Sequence, residues 1–307
     1  MALKIFTLIF SCVSSLALPA QSSLNKDSLL AHVRELSSDQ YEGRRTQEAG
    51  NLLAGEYICR RFDAFGLKQF GGSYIQPFRF YSRWNKQAYE GRNIIGYCRG
   101  TDHPEQYIVL SAHYDHEGVR NGEIYNGADD NASGVGALLE MARFLSRNPP
   151  RHSVIFAAFD AEEIGLRGAD HFLEEPPVPL NQILLNINMD MISRNAGREL
   201  YAVGTGYNPF LRTPLENIKE RYPITVSFGH EQPQPAHSDD WTMSSDHGKF
   251  HQKNIPFLYF GVEDHEDYHK PTDDYERIMP DFYAQAAEFI LESLLDLDKH
   301  WERLTRR

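Results

Sequence analysis

Histidines and carboxylates recur in this chain at the ends of short apolar runs, and that placement suits metal chemistry. His113 and Asp115 stand two residues apart after Tyr107-Ile-Val-Leu110. On a strand such spacing puts both side chains on one face, where a metal-binding histidine can be backed by a carboxylate that fixes its tautomer. Asp130 follows in Gly127-Ala-Asp-Asp-Asn-Ala-Ser-Gly134, where a Gly-rich polar loop turns into a helical pattern. Taken alone, that stretch reads equally as a polar turn with an Asx cap. Three further apolar runs end the same way. Val154 to Phe159 leads into Asp160-Ala-Glu162-Glu163, Ile183 to Met189 leads into Asp190, and Phe257 to Phe260 leads to Tyr268-His269-Lys-Pro-Thr-Asp-Asp274.

Each residue has a plainer reading when taken singly. Glu163 could be an acid at a helix N-terminus, Asp190 a strand-end cap, and His269 has His265 and His247 as neighbours in sequence. Together they are harder to explain as solvated loops. If the four strands run parallel, all four clusters fall on one rim of one sheet, and their carboxylates repel one another unless a cation joins them. With His113, Asp130, Glu163, Asp190 and His269 as ligands, three carboxylates and one deprotonated water balance two divalent ions. Histidine with carboxylate and no thiolate suits zinc in a hydrolytic site, and cobalt or manganese would also fit. His116 is expected to line the cleft and His171 to sit on a helix, neither as a ligand. Ser245-Asp246-His247 reads as a pocket wall or a helix cap.

The elements that must position these groups follow from periodicity. Residues 21–67 read as two helices, the first capped by Asp27 and the second running from Glu48 to Phe65 and stopped by Gly66. This segment, counted to residue 70, is expected to be a packing layer without chemistry. Strands are expected at Tyr74 to Tyr81, Arg92 to Tyr97 and Gln106 to Leu110, joined by short turns and therefore antiparallel at one side of a sheet. From there strands and helices alternate: helix Val135 to Leu145, strand Ser153 to Phe159, helix Leu166 to Leu173, strands Ile183 to Asp190 and Glu199 to Val203, helix Pro209 to Arg221, strand Pro256 to Phe260 and helix Pro280 to Asp298. Such alternation predicts an α/β fold, a three-layer α/β/α sandwich with a mixed, largely parallel central sheet and the site at the carboxyl ends of its strands. Phe228 to His247 is the longest irregular stretch and reads as a lid, a pocket wall or a variable surface loop.

Composition narrows the function classes. The 307 residues are 41% hydrophobic and 24% charged, which suffices for one large domain. The formal charge of -12, without a basic patch, argues against a nucleic-acid partner. Residues 1–20 carry one lysine, an apolar stretch and small residues before Ala20, the pattern of a removable secretory signal. The expected product is one catalytic domain over residues 21–307, periplasmic or secreted, without stable membrane insertion once the signal is gone. Cys59 and Cys98 would remain, and whether they pair is not readable from spacing.

The set His113-x-Asp115, Gly127-x-x-Asp130-Asn-x-Ser-Gly134, Glu162-Glu163-x-Gly165, Asp190-Met191 and Tyr268-His269-x-Pro-Thr-x-Asp274 resembles the dinuclear zinc aminopeptidases, a superfamily that also holds glutamate carboxypeptidases and glutaminyl cyclases. The resemblance spans about residues 90 to 280. It implies two zinc ions, one on His113 and Asp190 and one on Glu163 and His269, with Asp130 bridging and a cis peptide between Asp130 and Asn131. It also implies that Asp115 orients His113, that Glu162 is general base and then acid, and that Tyr268 steadies an oxyanion. The substrate it implies is a peptide with a free N-terminus. Cyclases tend to depart at the bridging-aspartate motif, which is intact here. A carboxypeptidase would need cations for a substrate carboxylate, and Arg120, Arg194 and Arg198 lie near the motifs. A non-catalytic binding ectodomain would have lost ligands or the base, and none is missing. No G-x-S-x-G elbow is present.

Overall fold

The computed structural model describes residues 24–83, 86–231 and 239–305. The expected signal at 1–20 and the middle of the 228–247 stretch lie outside the described residues. The strands are β1 (Ile75–Ser82), β2 (Gln87–Cys98), β3 (His103–His113), β4 (Gly118–Arg120), β5 (Glu123–Tyr125), β6 (His152–Phe159), β7 (Ile183–Met189), β8 (Glu199–Val203), β9 (Thr225–Phe228) and β10 (Phe257–Gly261). The helices are α1 (Lys26–Leu36), α2 (Ala49–Phe65), α3 (Gly134–Arg147), α4 (Arg167–Glu174), α5 (Arg212–Lys219), α6 (His247–Gln252) and α7 (Pro280–Thr305).

Eight strands form one mixed sheet in the order β1-β2-β6-β3-β7-β10-β8-β9, and β4 with β5 forms a small separate hairpin. The central block β6, β3, β7 and β10 is parallel throughout. These four strands are the apolar runs that end in histidine or acid, so their chemistry-bearing ends share one rim. Alternate residues of each central strand feed two different cores. Ile108, Leu110, Val154 and Phe156 join the core under α1, α2, α3, α5 and α7. Val109, Ile155, Ala157 and Phe159 join the core under α4 and α6. A period-2 strand that is apolar on both faces needs a layer on each side, and this is the three-layer α/β/α arrangement.

Three expectations change in detail. β2 does not pair with β3: β6 inserts between them, antiparallel to β2 and parallel to β3. A short loop after β2 thus carries β3 past one strand position, and sequence adjacency misled the pairing. The cap of α1 is Asn25, whose side chain accepts from the Ser28 amide, while Asp27 sits in the first turn. The loop after β3 contains the β4–β5 hairpin, and β9 forms where the pattern gave no strand. Gly66 ends α2 in the left-handed region at φ 73° as expected. Cys59 and Cys98 are free thiols, both raised by burial, to about 11 and about 12. Among the described residues no helix is long and apolar enough to cross a membrane.

Candidate metal centre

The rim gathers all five expected ligands into one cluster, with His113, Asp130 and Asp190 buried and Glu163 and His269 partly exposed. His113, the last residue of β3, places Nε2 3.2 Å from Asp190 Oδ1 and 3.4 Å from Asp130 Oδ1. His269 places Nε2 3.1 Å from Asp130 Oδ2 and 3.4 Å from Glu163 Oε2. The two oxygens of Asp130 therefore face two different histidine–carboxylate pairs. Atoms bound to one zinc at 2.0–2.2 Å in a tetrahedron stand about 3.4 Å apart, and the four separations match that edge. Imidazole nitrogens and carboxylate oxygens without a thiolate are a donor set that suits zinc.

Local backbone explains how Asp130 reaches this place. The Asp130–Asn131 peptide is cis, as the resemblance implied. Asp273 holds the loop from the other side, its carboxylate accepting the amides of Asp129 and Asp130 at 3.1 Å. Gly127 has φ +55°, and a Cβ there would meet the Asp130 carbonyl oxygen at 2.0 Å and the His116 ring at 2.5 Å. Only glycine is tolerated at such a crowded left-handed position.

Asp115 uses different atoms from those expected. His113 Nδ1 lies 3.1 Å from the Asp115 main-chain carbonyl, which accepts its N–H and leaves the Nε2 lone pair for a metal. The Asp115 carboxylate stands 3.8 Å from Nδ1 and turns to the next strand end, accepting the Glu162 and Glu163 amides at 3.0 and 3.3 Å. It thus fixes the turn that carries the general-base candidate and a ligand candidate. Glu162 lines a cavity together with His113, Asp130, Asp190 and His269, and Tyr268 stacks on His269 with ring centroids 3.9 Å apart.

The electrostatics call for positive charge. Burial would lower His113, but the carboxylates of Asp190 and Glu162 and its bonds to Asp130 and Asp190 raise it well above the usual imidazole value. Burial also opposes charge on His269, yet hydrogen bonds to Asp130 and Glu163 push it up to about 10. Burial, then the carboxylates of Glu163, Asp190 and Asp246, hold Glu162 well above the carboxylate range despite His113.

Several groups escaped the reading from sequence. The 21–70 segment reaches the centre and does more than pack. Arg44, buried and lowered by burial to about 10, donates to the carbonyls of Tyr114, Asn126 and Gly127 at 2.8, 2.6 and 3.0 Å. Thr46 donates to Asp160 at 3.0 Å and Asp115 at 3.3 Å. The Glu-Gly-Arg-Arg-Thr turn was the available signal: a left-handed turn with consecutive arginines has little reason to sit in a packing layer. His116 does more than line the cleft, with Nδ1 2.8 Å from Glu163 Oε1. Asp246 is fully buried, its carboxyl pushed up to about 7 by burial, and caps no amide of α6. His265 instead pairs with Asp129 at 3.1 Å, His247 bonds the Trp241 carbonyl at 2.8 Å, and His171 stacks on Phe78. Of the arginines noted near the motifs, Arg120 pairs with Glu117, Arg194 with Asp267 and Glu266, and Arg198 donates to the Pro223 carbonyl.

With this geometry in view, a profile of peptidase family M28 matches residues 93–294. The chain belongs to peptidase family M28. The span covers all five expected ligands of this M28 chain but begins after the Arg44–Thr46 turn. Aminopeptidase YwaD of Bacillus subtilis (strain 168) is 31% identical over 225 residues, 68% of this chain and 45% of that protein. The chain spans about half or less of the length of the curated relatives it matches first. Among solved structures, BSAP, a zinc aminopeptidase from Bacillus subtilis, superposes with a TM-score of 0.72 at 18% identity, over 89% of this chain and 95% of that one. Glutaminyl cyclase of Porphyromonas gingivalis superposes with a TM-score of 0.72 at 19% identity, over 89% and 99%. At those identities the likeness is one of fold.

Proposed function

We propose that this M28 chain is an exported dinuclear zinc exopeptidase that removes the N-terminal residue of peptides. One observation carries the reading. The His113, Asp130, Glu162, Asp190 and His269 cluster opens into a cavity of about 430 Å³ whose wall also holds Asp239, Asp240 and Asp264. A cavity so rich in carboxylates selects a cationic group beside the reacting carbonyl, and in a peptide the α-ammonium is that group. Trp241, Tyr259 and Val262 supply the apolar part of the wall for a first side chain.

Zinc held by these residues would acidify water and polarise the scissile carbonyl. The chain's own groups do the rest. Glu162 takes a proton from the attacking water and gives it to the departing amine. Asp115 fixes the turn on which Glu162 stands, and its carbonyl fixes the His113 tautomer. The Tyr268 hydroxyl serves the oxyanion as a hydrogen-bond donor, and burial, followed by the carboxylates of Asp130, Asp190 and Glu163, keeps it protonated at neutral pH.

The test compares aminoacyl-nitroanilides with the same compounds acylated at the amine. Cleavage confined to the free-amine set is expected. Cleavage of both sets at similar rates would remove the ammonium from recognition, and cleavage of neither would turn the reading toward cyclisation or carboxypeptidase substrates.

A further inference from the structure

A second cavity, of about 830 Å³, meets the centre from the other side, along Glu163 and His116. Its charge is opposite to that of the first. Arg45, Arg83, Arg120 and Arg167 line it, against Glu117 and Glu163. Both acids are already engaged, Glu117 by Arg120 and Glu163 by His116 and His269. Among the described residues, Arg45 and Arg167 have little to neutralise them. Arg45 meets Glu48 only at 3.7 Å, in a pair a third to a half exposed, which counts for little. Arg167 lies over the Phe80 ring at 5.7 Å and makes one long bond, 3.4 Å, to the Ile164 carbonyl. A surplus of guanidinium beside the centre is unexpected in a chain of net charge -12.

We infer that this cavity takes a carboxylate on the leaving-group side of the scissile bond, either the C-terminal carboxylate of a short peptide or the side chain of an acidic residue after the cut. The inference rests on the exopeptidase reading of the centre. The physical reason is polarity. The acidic cavity draws the ammonium end of a peptide, the arginine cavity draws a carboxylate end, and the reacting carbonyl is drawn between them over the metal-binding residues. Planar guanidinium groups match a carboxylate with two parallel N–H donors, which an ammonium or a neutral amide partner does not reproduce. The preferred substrates are thus small peptides with both ends free, or peptides acidic at the second position.

The test measures binding and turnover separately. Zinc-loaded protein carrying Glu162→Gln, which stops cleavage, is titrated calorimetrically with Leu-Ala-Ala, Leu-Ala-Ala-amide, Leu-Glu-Ala-amide and Leu-Gln-Ala-amide. One charge-assisted carboxylate site predicts roughly 10- to 100-fold tighter binding of a charged peptide than of its neutral partner. Preference within the first pair identifies the terminus as the source, and preference within the second identifies the side chain. The preference falls toward one in Arg167→Gln and in Arg45→Gln, and is partly kept in Arg167→Lys. Equal affinities, no binding of any peptide, or a preference that survives both glutamine variants would overturn the inference. Cleavage of Leu-Ala-Ala by the unsubstituted enzyme tests the underlying reading on its own. Charge-selective binding without cleavage sinks the exopeptidase and keeps the carboxylate site, while cleavage without charge selectivity does the reverse.

Discussion

The strands β3 and β6 carry a histidine–carboxylate cluster at each end, and the two clusters differ in a way that defines a metal centre. At the amino ends, His103 and His152 stack with ring centroids 4.7 Å apart beside Asp298 and Glu302 of α7. There His152 Nδ1 meets Asp298 at 2.8 Å, His103 Nε2 meets Glu302 at 2.7 Å, and Arg151 approaches Glu302 at 3.3 Å. These three contacts pair each group with a partner, His152 Nε2 stands 3.4 Å from Glu302 Oε1, and a guanidinium supplies the positive charge. At the carboxyl ends the separations across Asp130 are 3.1–3.4 Å, carboxylates outnumber imidazoles, and the buried guanidinium of Arg44 spends its donors on main-chain carbonyls. Proximity of histidine to acid is therefore not sufficient. Charge balance separates the two clusters: Arg151 bonds carboxylates at the amino ends, whereas Arg44 at the carboxyl ends donates to main-chain carbonyls.

Three substitutions sharpen that contrast. The largest effect is expected at the base. Glu162→Gln should lower kcat by about 10²- to 10⁴-fold while zinc content stays at the unsubstituted level, measured by elemental analysis beside turnover. Near-native turnover would remove Glu162 from proton transfer. Asp115→Asn should act one step back, because its carboxylate accepts the Glu162 and Glu163 amides and the Thr46 hydroxyl. Zinc affinity should weaken by about 10- to 100-fold in competition with a chromophoric chelator, and unchanged affinity would make the turn self-supporting. The smallest effect on metal is expected at the other end. His152→Ala should leave zinc stoichiometry unchanged and lower thermal stability, since it empties a buried position bonded to Asp298. Loss of a zinc equivalent there would erase the distinction between the clusters.

A further expectation concerns acid stability. Burial, then the Arg61 charge, lowers buried His32 to about 4, from 6.5. The unfolded chain therefore binds more protons between those values, and stability is lost as pH falls from about 6.5 toward 4. A melting-temperature profile should show that slope, flattened in His32→Gln. An unaltered slope would assign the loss to other groups.

The sequence carried the site unusually far because four apolar runs lead into histidine or acid, and four parallel runs must place their ends together. What it concealed depends on chain crossings rather than local pattern. β6 enters between β2 and β3, and no local signal announces that. Arg44 and Thr46 lie about 70 and 115 residues from their partners at Tyr114 and Asp160, separations on the order that the bonds themselves record. The choice between the Asp115 carbonyl and carboxylate as the His113 partner turns on a single rotation of the chain. The opposite charges of the two cavities arise from arginines on β4, α4 and two loops, which only the folded arrangement assembles.

The central claim is that Asp130 joins two metal positions. The direct measurement is calorimetric titration of chelator-stripped protein with zinc. The account predicts two equivalents bound per chain in the unsubstituted protein and a fall to one or none in Asp130→Ala. A single equivalent in the unsubstituted protein, or two retained after the substitution, would contradict it.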